Sequence, residues 1–169
     1  MNAPREFDGL ESFILHLASL EATAHRSHRR GLELALKLIE QDAKDQIGHY
    51  QPQVGEFPAW APLAASTEEE KARMGAPANA PLLRRGDLRD SFSHQVISEH
   101  EGVVGSTDPV AIFHEFGTAK MPPRPVLGPA AVRNRDKIRA IIGRAVVEGI
   151  IGGELQAGGG DYFGGDVGG

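Results

Sequence analysis

Three prolines within four residues constrain the fold of this chain more than any other feature. Residues 121–125 read Met-Pro-Pro-Arg-Pro, a stretch that lacks three backbone donors and has its φ angles fixed. It must therefore be extended and cannot lie inside a sheet. The apolar run 109–116 precedes it and predicts a short helix that ends at Gly117, a residue suited to positive φ. Pro129 follows and favours the first turn of another helix. We call residues 121–125 the proline arm.

Arg124 lies between two of the prolines of the arm. A rigid segment loses little entropy when it docks, and a guanidinium pairs well with a carboxylate through two parallel hydrogen bonds. We therefore expect Arg124 to project from the arm and to bind an acidic group of a neighbouring molecule. The candidates are Glu115, Asp87 or Asp90 of an adjacent subunit, or a carboxylate of another protein. A solvated arginine on an exposed loop is the alternative.

The N-terminal third has the periodicity of amphipathic helix. Apolar residues at three- and four-residue spacing predict one helix over 7–27 and a second helical pattern over 32–47. Asp8 is the candidate N-cap, and Gly31 either kinks the pattern or is tolerated within it. A continuous helix over 8–47 would span roughly 60 Å, long enough to invite packing against another copy.

The middle of the chain is interrupted by prolines. Residues 51–86 contain repeated prolines, and we expect a long, ordered or half-ordered loop with one short helix over 66–74. Trp60 is the expected anchor of this loop. Residues 92–98 alternate in polarity and predict a half-buried strand, and Glu101-Gly102 predicts a tight turn to a return strand over 103–105.

The C-terminal part divides into an apolar-periodic segment and a glycine-rich one. Residues 130–151 predict a helix, and half of the residues in 152–169 are glycine. A segment of that composition buries too little surface to offset its ordering entropy, so we expect a flexible tail. We treat 1–151 as one domain that contains the long loop 51–86. The predicted class is α+β: a long N-terminal helix or helix pair, a small antiparallel sheet and a C-terminal helix.

Composition limits the classes of function. The formal net charge is −5 and cysteine is absent, so disulfides, cysteine-ligated zinc and thiol nucleophiles are excluded. The N-terminus has no apolar h-region, and no apolar run approaches the ~20 residues of a membrane span, so we expect neither a signal peptide nor a membrane protein. Basic clusters at 25–30 and 133–139 favour an alternative function, a nucleic-acid-binding module, although the negative net charge argues against it.

Catalytic motifs are largely missing from the sequence. His114-Glu115 begins like the zinc-protease pattern HExxH, but Thr118 stands where the second histidine would be. Neither a nucleophile elbow nor a phosphate-binding glycine loop is present in the sequence. We therefore expect a protein that is not an enzyme and that has no cofactor and no metal.

Two groups of motifs resemble those of tailed-bacteriophage virion-morphogenesis proteins. The first reads WAPL at 60–63, with Thr67, Lys71 and Gly75, and then PLLRRGDLRDSF at 81–92. The second reads VGS at 104–106, HEFGT at 114–118 and MPPRPVL at 121–127. Each motif is weak alone, but their order and spacing over residues 32–150 make the resemblance specific.

The resemblance implies a structural subunit of the phage tail or neck, acting in tail completion, tail termination or head–tail joining. Such subunits are similar in fold to tail-terminator rings, commonly hexamers around a channel. The implied partners are copies of the chain, other neck and tail proteins, and DNA that passes without specific binding. The implied location is the virion, assembled in the host cytoplasm. We expect the assembly interface to use these residues: Trp60, Arg89, Glu115, Phe116, Gly117, Met121, Pro122, Pro123, Arg124 and Pro125.

Overall fold

The structure is a computed structural model that describes residues 9–151. Six helices and two strands occur in this part of the chain. In order they are α1 (Leu10–Gln46), α2 (Ala65–Arg73), α3 (Asp87–Asp90), β1 (Phe92–Val96), β2 (Gly102–Ser106), α4 (Val110–Phe116), α5 (Leu127–Arg133) and α6 (Arg135–Ile151). Long helices combined with a small antiparallel sheet confirm the predicted α+β class. The predicted N-cap Asp8 and the predicted tail 152–169 lie outside the described residues.

The N-terminal region forms one helix of 37 residues, which continues through Gly31 without interruption. The reason for the glycine lies in α6, which packs against α1. A Cβ on Gly31 would come 2.4 Å from the Cβ of Ala145, and a Cβ on Gly149 would come 2.9 Å from the Cα of Ala24. The two glycines therefore let the helix backbones approach closely. α1 ends at Gln46. Ile47 is its C-cap, and the next residue, Gly48, has a φ of 97°.

The two strands form an antiparallel hairpin whose register runs from Phe92 opposite Ser106 to Val96 opposite Gly102. The predicted strands are confirmed, but the tight turn predicted at Glu101-Gly102 is wrong. The connection is the five residues 97–101, and Gly102 is already part of β2. Its backbone lies against α1, because a Cβ there would come 2.3 Å from Cδ1 of Leu36. Close packing on the helix, rather than a turn, requires this glycine.

The loop 51–86 is tied to the body at several points. The backbone N–H of Gly48 donates to the carbonyl of Pro81 at 2.8 Å, and the ammonium of Lys71 donates to the carbonyl of Ala80. Lys71 is buried, and burial, followed by the positive charge of Arg84, lowers its pKa. The short helix predicted over 66–74 is confirmed as α2 within a residue at each end.

The predicted C-terminal helix is interrupted at Asn134, which separates α5 from α6. The Asn134 backbone leaves the helical region, with φ −96° and ψ 4°. Its side-chain amide donates to the carboxylate of Asp42 on α1 and, at 2.9 Å, to the carbonyl of Ala130. These bonds fix Asn134 at the junction between the two helices, both of which pack on α1.

The core lies where the C-terminal end of α1, the loop, the hairpin and α5 meet. It contains seven buried apolar residues: Ala43, Ile47, Trp60, Leu88, Phe92, Val126 and Ala130. Ala130 and Ala43 have no exposed surface, so α5 sits directly on α1. This arrangement places the proline arm, which enters α5, at the edge of the core. Among residues 9–151, no helix is both long and apolar enough to cross a membrane.

Candidate assembly interface

Arg124 is a buried residue of the subunit itself. Only 5 % of its surface is exposed, and its Nη2 donates to the carbonyl oxygens of Ala61 at 2.9 Å and Pro62 at 3.1 Å. Its backbone N–H donates to the carbonyl of His114 at 2.7 Å. The prediction that Arg124 projects toward a neighbour is therefore wrong. The prolines do hold the backbone extended, but the side chain points inward and satisfies carbonyls of a loop that has few donors.

Trp60 and Pro125 are also interior residues. Both are buried, and the indole Nε1 of Trp60 donates to the carbonyl of Pro125 at 3.1 Å. The prediction that Trp60 anchors the loop is confirmed, since its ring belongs to the core. Their predicted place in an interface between subunits is corrected, because neither side chain reaches the surface of the subunit.

Glu115 holds the start of α5. Its Oε2 accepts from the backbone N–H of Val126 at 2.8 Å and of Leu127 at 3.3 Å, and its Oε1 accepts from that of Gly128 at 3.1 Å. The first N–H groups of a helix have no partner inside it, and a negative charge there is favoured by the helix dipole. Glu115 thus caps α5 from α4. It is half-buried, and its predicted role as an intersubunit contact stays a prediction.

His114 lies against this anchored cluster. Burial, and after it the positive charge of Arg124, lowers the pKa of His114, which Asp108 opposes only in part. Its Nδ1 is buried and has no hydrogen-bond partner. The neutral imidazole is therefore the favoured form. Within residues 9–151, no group of three or more histidine or acidic side chains is placed to hold a metal ion.

The segment between these anchors forms an exposed surface, which we call the tip and which comprises residues 116–123. Phe116 is 79 % exposed, and Pro122 and Pro123 are exposed as well. Thr118 and Met121 exchange two backbone hydrogen bonds, at 2.8 and 3.2 Å, which close a tight turn. A shallow open depression runs along the tip. Five of the predicted interface residues therefore lie together in the tip: Phe116, Gly117, Met121, Pro122 and Pro123.

Gly117 sets the direction of the tip. Its φ is 73° and its ψ −179°, a conformation essentially restricted to glycine, which confirms the predicted positive φ. A Cβ on this residue would lie 2.8 Å from the carbonyl oxygen of Met121 and 2.8 Å from the nitrogen of Pro123. Both the backbone angle and the available space therefore require glycine where α4 gives way to the tip.

The tip continues an apolar surface on α4, of which the sequence predicted only Phe116. Val110, Ile112, Phe113 and Phe116 are all exposed. Residues 112 and 116 border a groove of about 340 Å³ that reaches Phe92 of β1 and also includes Asp108 and Glu115. The signal was present in the sequence: apolar residues occupy nearly every position of 110–116, and a helix on a surface can bury only one side.

Arg89 belongs to α3 rather than to α4 or the tip. It is exposed, and its Nε donates to the carboxylate of the adjacent Asp90 at 3.0 Å. The exposed ion pair contributes little to stability. Its predicted role in an interface stays a prediction.

The two basic clusters are separated along α1. Arg133 of the second cluster donates to Asp42 at 3.1 Å and to Gln51 at 3.2 Å, which places that cluster at the C-terminal end of α1. Residues 25–30 lie about 20 Å away along the helix axis, at 1.5 Å per residue. His25 of the first cluster contacts Glu99 and Glu21. Part of the positive charge of the second cluster is therefore neutralised within the subunit.

Comparison with known proteins supplies no relative for this chain. Searches with protein-family models, against curated sequences and against solved structures find no match. The motifs of the sequence and the geometry of the tip and α4 are therefore the features that indicate a function.

Proposed function

We propose that this chain is a structural subunit of a tailed-bacteriophage virion that forms a ring in tail completion or head–tail joining. One observation carries the proposal: an apolar surface of α4 and a rigid tip stand exposed on buried anchors of the same subunit. The motifs shared with virion-morphogenesis proteins, HEFGT and MPPRP, are the ones that build this arrangement. The proposed fold relationship is to tail-terminator ring subunits.

The anchors suit the tip for docking. Arg124 and Glu115 hold the two ends of the tip, and the turn between Thr118 and Met121 closes it. A segment that is ordered before binding loses less entropy on association, so more of the contact energy appears as affinity. The exposed apolar side chains of α4 and the tip give this surface the composition expected of an interface core.

A ring requires a contact between two different surfaces of identical subunits that closes on itself. The tip and α4 form one such surface, and the ring number proposed from the family resemblance is six. The net charge of −5 suits a channel through which DNA slides, because binding to DNA is driven mainly by neutralisation of phosphates. The proposed partners are further copies, other neck and tail proteins, and passing DNA.

The proposal is tested by locating the chain in the virion and by substituting residues of the proposed contact. An electron-microscopy map of the virion that incorporates this chain is expected to show a ring of copies in the tail or neck. Ile112→Asp and Phe116→Asp place a charge on the proposed contact and are expected to yield particles without completed tails. Met74→Asp is the matched control, since Met74 is an exposed apolar residue on the α2 side of the molecule.

Two results would contradict the proposal. One is a virion map that shows a single copy or none in the tail and neck. The other is normal infectious titre for both aspartate variants while the purified subunits keep the wild-type melting temperature.

A further inference from the structure

The first two turns of α1 present an apolar stripe to the surface. Leu10, Ile14 and Leu17 follow one another at spacings of four and three, and their exposed fractions are 72 %, 54 % and 47 %. We call these three residues the α1 stripe. α6 reaches Ala24 of α1 through Gly149 and ends two residues later. Leu17 is about 10 Å further along the axis of α1, so the stripe lies beyond the end of α6.

The groove beside α4 has the form that such a stripe fits. Its lining is mostly apolar, with exposed Ile112 and Phe116 at its border and buried Phe92 at its base. α4 has seven residues and is therefore about 10 Å long, and the α1 stripe spans the same distance from its first residue to its last. A helix that binds in a groove typically inserts apolar side chains at i, i+4 and i+7, which is the spacing of the stripe.

One subunit cannot place its own stripe in its own groove. Ala111 of α4 packs against the core cluster that includes Ala43, near the C-terminal end of α1. Leu17 lies about 39 Å from Ala43 along the axis of a helix that is continuous from 10 to 46. The two surfaces of one chain are thus held apart by α1 itself, whereas the stripe of a second copy can reach the groove.

Charge favours a second copy of this chain as the occupant. The tip contains one charged residue, Lys120, and no carboxylate of residues 9–151 pairs with it. Residues 10–21 contain Glu11 and Glu21 and neither lysine nor arginine. The acidic groups of the groove are already engaged, since Glu115 accepts from three backbone N–H groups and Asp108 from one. The start of α1 is therefore complementary in charge to the tip.

We propose that the α1 stripe of one copy of this chain fills the α4 groove of the next copy. Ile14 then lies against Ile112, and Glu21, one turn beyond the stripe, pairs with Lys120 of the tip. The contact joins two different surfaces of the same chain, so it repeats from copy to copy and can close into a ring. This inference rests on the proposed function of α4 and the tip, and it supplies the second surface that a ring requires.

The first test uses engineered cysteines, because the chain contains none of its own. Ile14→Cys and Ile112→Cys are prepared as two single variants and one double variant, and each is oxidised over a micromolar concentration series. A mixture of the two single variants is expected to form a disulfide-linked pair of chains, and the double variant a ladder of two, three and more chains. Met74→Cys mixed with Ile112→Cys is the control, since Met74 is 47 % exposed but belongs to neither surface.

The second test measures the strength of the contact by sedimentation velocity of the full chain. Ile14→Ser is expected to raise the concentration required for association about tenfold or more, as loss of a central apolar contact does. Leu34→Ser is the matched control on the same helix, since Leu34 is 43 % exposed and lies outside the stripe. Glu21→Lys and Lys120→Glu are each expected to weaken association, whereas the double variant restores it. Circular dichroism checks that each variant keeps its helices.

Three results would overturn the proposal. They are a mixture of single-cysteine variants that links no better than the Met74→Cys control, a chain that stays monomeric at every concentration, and equal effects of Ile14→Ser and Leu34→Ser. Oxidation of the double-cysteine variant in particles separates this inference from the proposed function. A ring in the virion map without the link between residues 14 and 112 contradicts the inference alone. A link formed by the purified chain, together with a virion map that lacks the ring, contradicts the proposed function alone.

Discussion

The indole Nε1 of Trp60 donates a hydrogen bond of 3.1 Å to the carbonyl oxygen of Pro125, 65 residues later in the chain. This bond joins the middle of the long loop to the end of the proline arm. Neither segment belongs to a sheet or a long helix. Side chains therefore donate the hydrogen bonds that their backbone carbonyls accept. The neighbouring Arg124 does the same for two more carbonyls. The arm is therefore held by the loop, and the loop by the arm.

Replacing Arg124 tests this mutual support. Arg124→Ala removes a buried side chain and the donor it supplies to the carbonyls of half-buried Ala61 and exposed Pro62, which is expected to cost about 2 kcal/mol of unfolding free energy. Arg124→Lys is expected to lose about half as much, since an ammonium reaches one carbonyl more easily than two. Urea unfolding followed by tryptophan fluorescence measures both, because Trp60 is the only tryptophan.

Arg139→Ala serves as the control, since Arg139 is exposed and pairs only with Asp136 on its own helix. It is expected to change stability by less than about 0.5 kcal/mol. An Arg124→Ala variant as stable as the control would show that the two carbonyls find other donors.

Glu115 offers an independent test of how the arm enters α5. Glu115→Ala removes the acceptor of three backbone N–H groups and is expected to cost about 2 kcal/mol. Glu115→Gln keeps one oxygen without the charge and is expected to cost less. Thermal unfolding compares both with Glu69→Ala, which removes an exposed carboxylate from α2. Equal melting temperatures for Glu115→Ala and Glu69→Ala would contradict the capping role.

Replacing Gly117 tests whether the conformation of the tip requires glycine at this position. Gly117→Val is expected to cost about 2 kcal/mol or more, because φ is positive and a Cβ would contact the backbone of Met121 and Pro123. Since the strain is local, far-UV circular dichroism is expected to change little while assembly into particles fails. Gly105→Ala is the control, because a Cβ there would enter open space. Normal infectious tails with Gly117→Val would contradict this prediction.

The sequence predicted elements well and the direction of side chains poorly. The hairpin, α2, α4 and the positive φ of Gly117 follow from local patterns, so each could be found from neighbouring residues. The inward direction of the Arg124 side chain could not be predicted from neighbouring residues. An extended arm has no periodicity that separates a buried side from an exposed one. The capping role of Glu115 likewise depends on how α4 lies against α5, a relationship between elements that no local pattern contains.

The continuity of α1 is a similar case. Gly31 lowers helix propensity, and a kink was therefore one of the two expectations. The close approach of α6 is what decides the outcome, and it is a tertiary contact between residues more than a hundred positions apart. The apolar exposed side of α4, by contrast, was visible in the composition of 110–116.

His114 makes stability depend on pH in a definite direction. Burial, followed by the charge of Arg124, lowers its pKa in the folded chain below the ordinary value of 6.5. The unfolded chain therefore takes up the proton more readily, and stability that is present above about pH 6.5 is lost as the pH falls toward the folded pKa. Glu40 titrates below its ordinary value of 4.5, mainly because Lys44 donates to it, and so acts outside this window.

The measurement is the unfolding free energy in urea at several values between about pH 5 and pH 8. His114→Gln cannot take up a proton, so its stability is expected to fall less over this range than that of the wild type. His49→Gln is the control, because it removes an exposed imidazole. Parallel curves for His114→Gln and the wild type would show that His114 is not the group responsible.

The last prediction concerns two glycines in the helix pair, Gly31 in α1 and Gly143 in α6. Alanine is favoured over glycine inside a helix by about 1 kcal/mol, and this gain is the same at both positions. At Gly31 the new Cβ would lie 2.4 Å from that of Ala145, whereas at Gly143 it would contact nothing within 4 Å. Gly143→Ala is therefore expected to stabilise the chain by up to about 1 kcal/mol, and Gly31→Ala to destabilise it by about 1–2 kcal/mol as α1 and α6 are forced apart. Urea unfolding measures both, and the difference between them isolates the close contact because the added methyl group is identical. If both variants are stabilised, the two helices do not approach as closely as the structure places them.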